Sequence, residues 1–293
     1  MNLEQLFAVG KNNGLIEEEL TFKADAIADF LKKIDARNQG FYKCIDDNEL
    51  VNKINNFAES VKGKYENIVI LGIGGSALGT ICLQNALQHL YANNVKSDTP
   101  KLFVLDNIDP VLMSEILDVI DLSKTLFLVV TKSGGTPETL AQYFYFRKKL
   151  EGANLKAQEH FVFVTDPVKG LLRKIAIEEN IPAFDVPVDV GGRFSVLTAV
   201  GLLPARLLGM KIENLLLGAR KMRESFMNVN FEENLPFKLA SLQYVLYGKG
   251  KTMNVLMPYS QNLIRFADWY RQLLAESIGK SVNDRGEKVY VGI

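Results

Sequence analysis

The chain has 293 residues, 47% of them hydrophobic, which is long enough to bury a sizeable core in one large or two ordinary domains. Its 34 basic side chains equal its 34 acidic ones, which argues against broad binding to nucleic acids or anionic membranes. The isolated cysteines, Cys44 and Cys82, predict free thiols rather than a disulfide framework. Because no signal peptide or membrane-length apolar run is recognised, we expect a cytoplasmic protein.

The first 60 residues predict helices. Apolar residues from Leu20 to Leu31 recur at helical spacing, and DDNEL before Val51 is typical of a helix start. We therefore expect a helical N-terminal segment over residues 1–60.

Short apolar runs then alternate with helical stretches. The predicted strands are NIVILG, KLFVLD, TLFLVVT, HFVFVTD and PAFDV. Helices are expected over Leu78 to Tyr91, from Asp109-Pro110, over Pro137 to Leu150, and from Pro167. This alternation is typical of right-handed βαβ units, so we expect an α/β domain with a parallel sheet, covered on both faces, over residues 61–210.

The last part, residues 211–293, predicts connecting helices and the start of a second α/β domain. IENLLLGARKMRESF and LPFKLASLQYVLY have helical patterns. We expect a strand at TMNVLMP, a helix through Leu274 and a further strand at KVYVGI. One strand and helix cannot bury their own apolar surface, so this second domain is expected to be incomplete.

The stretch ILGIGGSALGT follows the first predicted strand and opens a helix. Glycines permit a sharp turn and close approach of a ligand, and the N–H groups of a helix start favour an anion. Gly72, Gly74 and Ala77 also satisfy a dinucleotide fingerprint, with Asp106 at the end of the next strand. On this stretch alone, a phosphate monoester, a dinucleotide and a turn without a ligand all remain open.

A second loop, TKSGGTPET, follows the third predicted strand. It offers the hydroxyls of Thr131, Ser133 and Thr136, two glycine N–H groups and the cation of Lys132. With Ser76 on the same sheet edge, these groups can surround one phosphate dianion. A dinucleotide fold does not need this loop, so it favours a phosphate monoester, although Ser and Thr also cap helices without binding ligands.

Two further motifs carry candidate catalytic groups. In DVGGRFSVLTAVGLLP, glycines precede Arg193, which is suited to stabilising an oxyanion, while pairing with a carboxylate such as Asp189 is equally compatible. In YRQLLAESIGK, Glu276 can act as a general base, although the sequence alone fits a surface glutamate better. His89 and His160 are isolated and are interpreted as structural. The sequence shows no Cys/His metal cluster and no Walker-type GK[ST] motif.

Together, LGIGGSALG, TKSGGTPET, DVGGRFSVLTAVGLLP and AESIGK resemble the motifs of the phosphoglucose isomerase family, bacterial type, in their order. The resemblance implies a three-layer domain of the sugar-isomerase (SIS) type and interconversion of glucose 6-phosphate and fructose 6-phosphate through a cis-enediol, without metal or cofactor. It implies phosphate binding by Gly75, Ser76, Thr131, Lys132, Ser133 and Thr136. It also implies enediolate stabilisation by Arg193, contact with the sugar by Gln272 and proton transfer by Glu276.

The family pattern continues beyond Ile293. Family members complete a second phosphosugar domain there, with a ring-opening histidine and a C-terminal lysine that have no counterpart here. We therefore expect an N-terminal portion of such an isomerase, which binds sugar phosphates but turns over little alone; the resemblance implies a homodimer for the complete protein. The alternatives are a non-catalytic sugar-phosphate-binding regulatory protein and a dinucleotide-dependent oxidoreductase.

Overall fold

The computed structural model describes residues 7–20 and 24–291. At its centre is a five-stranded parallel sheet in the order β2-β1-β3-β4-β5. The strands are β1 (Asn67–Leu71), β2 (Lys101–Leu105), β3 (Thr125–Thr131), β4 (Phe161–Thr165) and β5 (Ala183–Asp185). The five strands predicted for this region and its α/β class are therefore confirmed.

Helices precede, connect and follow the strands. The N-terminal segment contains α1 (Gly10–Asn13), α2 (Ala24–Asp35) and α3 (Asn48–Ser60). Between the strands lie α4 (Leu78–Leu87), α5 (Pro110–Glu115), α6 (Pro137–Gly152), α7 (Ala157–His160) and α8 (Leu171–Glu179). After the sheet come α9 (Ala199–Leu207), α10 (Ile212–Phe226), α11 (Leu235–Gly248) and α12 (Ile264–Ile278). None of the helices in the described part of the chain is long and apolar enough to cross a membrane.

Strands β1, β3 and β4 are buried on both faces because nearly all of their residues are apolar. On one face, Ile68 and Ile70 belong to a core shared with α3, α9 and α10. On the other face, Val69 and Leu71 belong to a core shared with α5, α6 and α8. The molecule therefore has the three layers that the family resemblance implies.

Side-chain caps explain where two predicted helices begin. The Asp47 carboxylate accepts a hydrogen bond from Leu50 N at 2.9 Å, before α3. Asp109 accepts bonds from Val111 N and Leu112 N at 2.8 and 3.0 Å, before α5. Such caps satisfy N–H groups that have no partner in the first turn of a helix. The starts predicted from DDNEL and Asp109-Pro110 are therefore confirmed.

Two predicted helix boundaries between the strands are wrong, and the helix predicted through Leu274 continues to Ile278. Helix α4 ends at Leu87 rather than Tyr91, because Gln88 is extended, with φ −109° and ψ 172°. Helix α8 begins at Leu171 rather than Pro167. There, the Asp166 carboxylate accepts bonds from two following N–H groups, at 2.8 and 2.7 Å, and forms a turn of its own before the helix.

The strand predicted at TMNVLMP is also wrong, since residues 251–259 belong to no sheet. Met253 and Val255 are 84% and 73% exposed. An apolar run becomes a strand only where a neighbour pairs with its backbone, and no strand lies beside this one in the described residues. At KVYVGI, Lys288 makes one isolated antiparallel bridge with Val282, and residues 292–293 lie outside the described residues. The division into three segments stays a prediction.

Candidate active site

The strand order creates a crevice between β1 and β3. From β1 the chain proceeds through α4 to β2 at one edge, whereas β3 leads through α6 toward β4 and β5 on the other side. Connections that leave two neighbouring strands in opposite directions open a crevice at the carboxyl ends of those strands, and ligands bind there in sheets of this order. The two glycine-rich motifs follow these two strands directly.

The glycine turn, residues 72–77, follows β1. Gly74 adopts φ +57°, a left-handed conformation that favours glycine. A Cβ added to Gly72 would lie 3.0 Å from Ser76 Cβ and 3.0 Å from the Val130 carbonyl oxygen. The turn therefore holds Ser76 close to the end of β3.

The hydroxyl loop, residues 131–136, follows β3. The Thr131 hydroxyl lies 2.6 Å from the Thr136 hydroxyl and 3.3 Å from that of Ser133. The Ser133 and Thr136 hydroxyl oxygens are 3.4 Å apart, and Gly135 N donates to Ser133 Oγ at 3.3 Å. The structure thus brings together the three hydroxyls predicted from the sequence. Converging O–H and N–H donors of this kind suit a phosphate with several acceptor oxygens.

The loop of residues 166–170 supports the hydroxyl loop from behind. Asp166 N donates to Lys132 O at 3.0 Å, and Leu172 N donates to Gly134 O at 3.2 Å. Gly170 adopts φ +91°, and a Cβ there would lie 2.4 Å from Ser133 O. The two backbone N–H groups bonded to the Asp166 carboxylate hold its pKa below the usual value.

The side chain of Lys132 leaves the hydroxyl loop. Its Nζ donates to Val188 O at 2.9 Å and to Val190 O at 2.7 Å. These carbonyls belong to the segment that leads to Arg193. The direct phosphate contact implied for Lys132 by the resemblance stays a prediction.

Arg193 lies in the arginine turn, residues 191–197, and points toward α12. Its Nε donates to Ser277 Oγ at 3.0 Å, and its Nη1 lies 3.6 Å from Glu276 Oε2. The guanidinium carbon lies 4.5 Å from the centre of the Phe194 ring. The Arg193 side chain is only 24% exposed. The carboxylate paired with Arg193 is therefore Glu276, and Asp189 lies beside Gly40 instead.

Helix α12 carries two predicted site residues on one face. Gln272 and Glu276 are four positions apart, and Gln272 Nε2 donates to Glu276 Oε1 at 2.8 Å. A Cβ added to Gly74 would lie 2.9 Å from Gln272 Nε2, so this face borders the glycine turn. The half-exposed Glu276 carboxylate thus has an amide donor on one oxygen and a guanidinium near the other.

The glycine turn and the arginine turn are in direct backbone contact. A Cβ added to Gly75 would lie 2.6 Å from Gly192 O. Real Cβ atoms are not found this close to a backbone oxygen, so glycine is required for this approach. Two motifs that are distant in the sequence therefore form one site with α12.

Sequence reasoning missed two contacts of Arg193, namely Ser277 and Phe194. Ser277 follows Glu276 directly in AESIGK, so its position in that motif was a usable signal. His160 is structural, as predicted, whereas the structural interpretation of His89 stays a prediction. His160 Nδ1 donates to Thr125 O at 2.8 Å in the core, and the exposed His89 ring accepts a bond from Tyr91 N at 3.1 Å. Within residues 7–20 and 24–291, no histidine, cysteine and carboxylate side chains are grouped as metal ligands.

Most of this chain aligns with proteins that are named glucose-6-phosphate isomerase. A protein of Carboxydothermus hydrogenoformans named glucose-6-phosphate isomerase is 46% identical over 248 residues, covering 83% of this chain and 53% of the relative. A Methanococcus maripaludis protein named probable glucose-6-phosphate isomerase is 35% identical over 280 residues, covering 95% of this chain and 62% of the relative. The chain therefore spans between half and two thirds of the length of these relatives.

Two solved structures share the fold. A hypothetical protein from Thermus thermophilus aligns with a TM-score of 0.78 at 36% identity, over 86% of this chain and 58% of that protein. A glucose-6-phosphate isomerase from Chlamydia trachomatis aligns with a TM-score of 0.74 at 30% identity, over 83% of this chain and 46% of that protein. Residues 39–292, which include every loop and side chain of the candidate site, match the phosphoglucose isomerase family profile, so the chain belongs to that family.

Proposed function

We propose that this chain supplies the phosphate site and the proton-transferring carboxylate of a glucose-6-phosphate isomerase. The observation that carries the proposal is the meeting of Glu276, Arg193 and Gln272 beside the glycine turn, at the crevice between β1 and β3. A regulatory protein that only binds sugar phosphates needs the two loops but has no use for a base paired with an arginine. The relatives named as isomerases also favour the enzyme over that alternative.

The phosphate group of the sugar binds between the two loops. The hydroxyls of Thr131, Ser133 and Thr136 converge within 3.4 Å of one another, and the glycine turn with Gly75 and Ser76 follows the neighbouring strand β1. Donors to an ionised phosphate form stronger hydrogen bonds than donors to a neutral acceptor. The Lys132 charge contributes favourably to the local potential even without direct contact.

Glu276 moves the proton between C2 and C1. In open-chain glucose 6-phosphate, its carboxylate removes the C2 proton, and the electron pair moves to the C1 carbonyl oxygen to give an enediolate. Arg193 stabilises that negative charge, and Gln272 orients the carboxylate and contacts the sugar. Return of that proton to C1 and transfer of the O2 proton to O1 give fructose 6-phosphate. Atoms and electrons balance within the substrate, so the proposed reaction needs no cofactor.

Deuterium exchange tests the proton transfer separately from ring opening, because a small part of fructose 6-phosphate is open-chain in water. The chain should place deuterium at C1 of fructose 6-phosphate in D2O, as followed by NMR. E276Q should slow this exchange by about 10²–10⁴-fold, the usual contribution of a general base. The affinity of E276Q for inorganic phosphate should stay close to that of the unsubstituted chain.

E224Q replaces an exposed glutamate on α10 and is the matched control. It should place deuterium in fructose 6-phosphate at the same rate as the unsubstituted chain. Equal exchange by E276Q and E224Q would contradict the role of Glu276. Binding of NAD without binding of sugar phosphates would contradict the isomerase and favour a dinucleotide enzyme.

We further propose that the complete protein is a cytoplasmic homodimer. The family resemblance supports the dimer, and the two free cysteines agree with a reducing compartment. Light scattering on the complete protein, with fractionation of its source cells, tests both points.

A further inference from the structure

We infer that Lys132 is a positioning residue, which couples the phosphate-binding hydroxyl loop to the placement of Arg193. The inference rests on the proposed function and names a role that differs from direct contact with the phosphate. Its basis is that the backbone of Lys132 belongs to one loop while its ammonium group is bound to another.

The side-chain end of this connection is specific. Nζ of Lys132 donates to two carbonyl oxygens, those of Val188 and Val190, at 2.9 and 2.7 Å. Hydrogen bonds from an ionised donor are shorter and stronger than those between neutral groups. Val190 is fully buried, so its carbonyl segment is held firmly by the core. Two of the three ammonium N–H bonds are therefore committed to this segment.

The backbone end lies between two of the phosphate-binding hydroxyls, since Lys132 follows Thr131 and precedes Ser133. Its carbonyl accepts a bond from Asp166 N at 3.0 Å, so the peptide is held from behind. A shift of the hydroxyl loop on phosphate binding therefore moves the base of the Lys132 side chain. That side chain transmits the movement to residues 188–190.

From Val190 the chain reaches Arg193 in three residues, and the turn between them is tightly packed. Gly192 O contacts Gly75 of the glycine turn, and Arg193 Nε is bonded to Ser277 Oγ. Arg193 Nη1 stands 3.6 Å from Glu276, so a small displacement changes the distance between guanidinium and base. Loss of the Lys132 connection should therefore affect the enediolate site more than the phosphate site.

The affinities of the purified chain for two ligands, measured by calorimetry, distinguish the phosphate site from the enediolate site. Inorganic phosphate reports the hydroxyl loop alone, and 5-phospho-D-arabinonohydroxamate, whose planar head mimics an enediolate, also reports Arg193. K132M should bind the hydroxamate about tenfold or more weakly, as expected for the loss of two charge-assisted hydrogen bonds. Its affinity for phosphate should fall by less than about threefold, because the lost charge is screened and makes no direct contact with the phosphate.

K169M is the matched control for charge. Lys169 is exposed on the loop that supports the hydroxyl loop, and its substitution removes one positive charge from the same neighbourhood. It should leave the ratio of the two affinities unchanged. K132R keeps the charge and the N–H donors, so it should recover part of the hydroxamate affinity.

The single tryptophan gives a readout that a direct phosphate contact would not change. Trp269 and Phe194 line the same apolar groove of about 450 Å³, so movement of the arginine turn alters the surroundings of the indole. Without any ligand, K132M should shift the tryptophan emission, whereas K169M should not. Thermal unfolding of each variant shows whether it is folded. If K132M is unfolded, K132R is compared with the unsubstituted chain instead.

Each outcome decides the matter. A hydroxamate-selective loss together with an emission shift supports the inference. Equal losses for phosphate and hydroxamate would assign Lys132 to the phosphate itself and overturn it, as would two unchanged affinities. Binding of neither ligand by the unsubstituted chain would overturn the proposed function, and this inference with it.

Discussion

At the scale of single residues, one constraint on the site is a contact between two glycines. Gly75 and Gly192 bring two backbone turns so close that a Cβ at position 75 would lie 2.6 Å from a carbonyl oxygen. Backbone atoms cannot move aside as the end of a flexible side chain can. Gly192 itself has open space at its Cβ position, so the contact is asymmetric.

G75A should therefore separate the glycine turn from the arginine turn. We expect a loss of about 1–3 kcal/mol in the free energy of unfolding, the usual range for overpacking, together with weaker hydroxamate binding. Urea unfolding and calorimetry measure these effects. G192A is the control and should unfold nearly as the unsubstituted chain does. Equal stability of G75A and G192A would show that the contact is not tight.

The two thiols predict that the stability of the folded protein depends on pH. Burial raises the pKa of Cys44 and Cys82 to about 11, from the usual value of 9.0. A group whose pKa is higher in the folded state than in the unfolded state stabilises the folded protein at a pH below its unfolded-state pKa. For the two thiols, this contribution is lost as the pH rises from about 9 to about 11. Stability should therefore fall over that range.

Thiol alkylation tests the same shift. At pH 8.5, the native thiolate fraction should be about 100-fold below that of the unfolded chain, so iodoacetamide should react correspondingly slowly. Mass spectrometry of Cys44 and Cys82 peptides over time, with and without urea, measures it. Similar rates in both conditions would contradict the burial of the two sulfurs.

At the scale of elements, the hydroxyl loop depends on the loop behind it. Residues 166–170 approach so closely that Gly134 and Gly170 pack backbone against backbone, both with positive φ. The hydroxyl positions are therefore determined by two neighbouring strands, β3 and β4, and not by the TKSGGTPET motif alone. Helices α6 and α8 begin on either side of this contact, which anchors both loops to the sheet.

G170A should disturb this support. Its Cβ would lie 2.4 Å from Ser133 O, and alanine is strained at φ +91°. We expect about 1–3 kcal/mol lower stability and a clear loss of phosphate affinity, measured by thermal unfolding and calorimetry. G135A, in the hydroxyl loop itself but with open space around its Cβ, should retain stability. Normal phosphate affinity in G170A would contradict the support role.

At the scale of the whole molecule, a closed three-layer core contrasts with an exposed C-terminal region. The sheet is buried on both faces, whereas the segment of residues 251–259 contributes the exposed side chains of Met253, Val255, Met257 and Tyr259. Tyr244 of α11 is also 79% exposed. Adjacent apolar side chains at this exposure form a surface of the kind that proteins usually cover.

This surface should bind the dye ANS and promote self-association as the protein concentration rises. Replacing Met253 and Val255 together by serine should reduce both dye fluorescence and association, measured by fluorimetry and light scattering. I177S is the control, since Ile177 is 70% exposed and lies on α8, outside this segment. A stable monomer without dye binding would contradict the prediction.

Elements whose signals are local were predicted well. The five strands are nearly continuous apolar runs, and Asp47 and Asp109 cap the helices that follow them. The same apolar pattern failed at TMNVLMP, because pairing with a neighbour decides whether such a run becomes a strand. The helix predicted from Pro167 begins four residues later, at Leu171, because the Asp166 carboxylate forms a separate turn with the N–H groups that follow it.

The sequence by itself determined the five strands of the sheet, the donor groups of the glycine turn and the hydroxyl loop, and the family, because each of these depends on short contiguous motifs. Only the tertiary structure decided the strand order that opens the crevice, the commitment of Lys132 to two carbonyls and the pairing of Arg193 with α12. Arg193 and Ser277 are 84 residues apart in the chain. Their contact depends on α12 packing against α4, and no local signal specifies which distant elements a helix will meet.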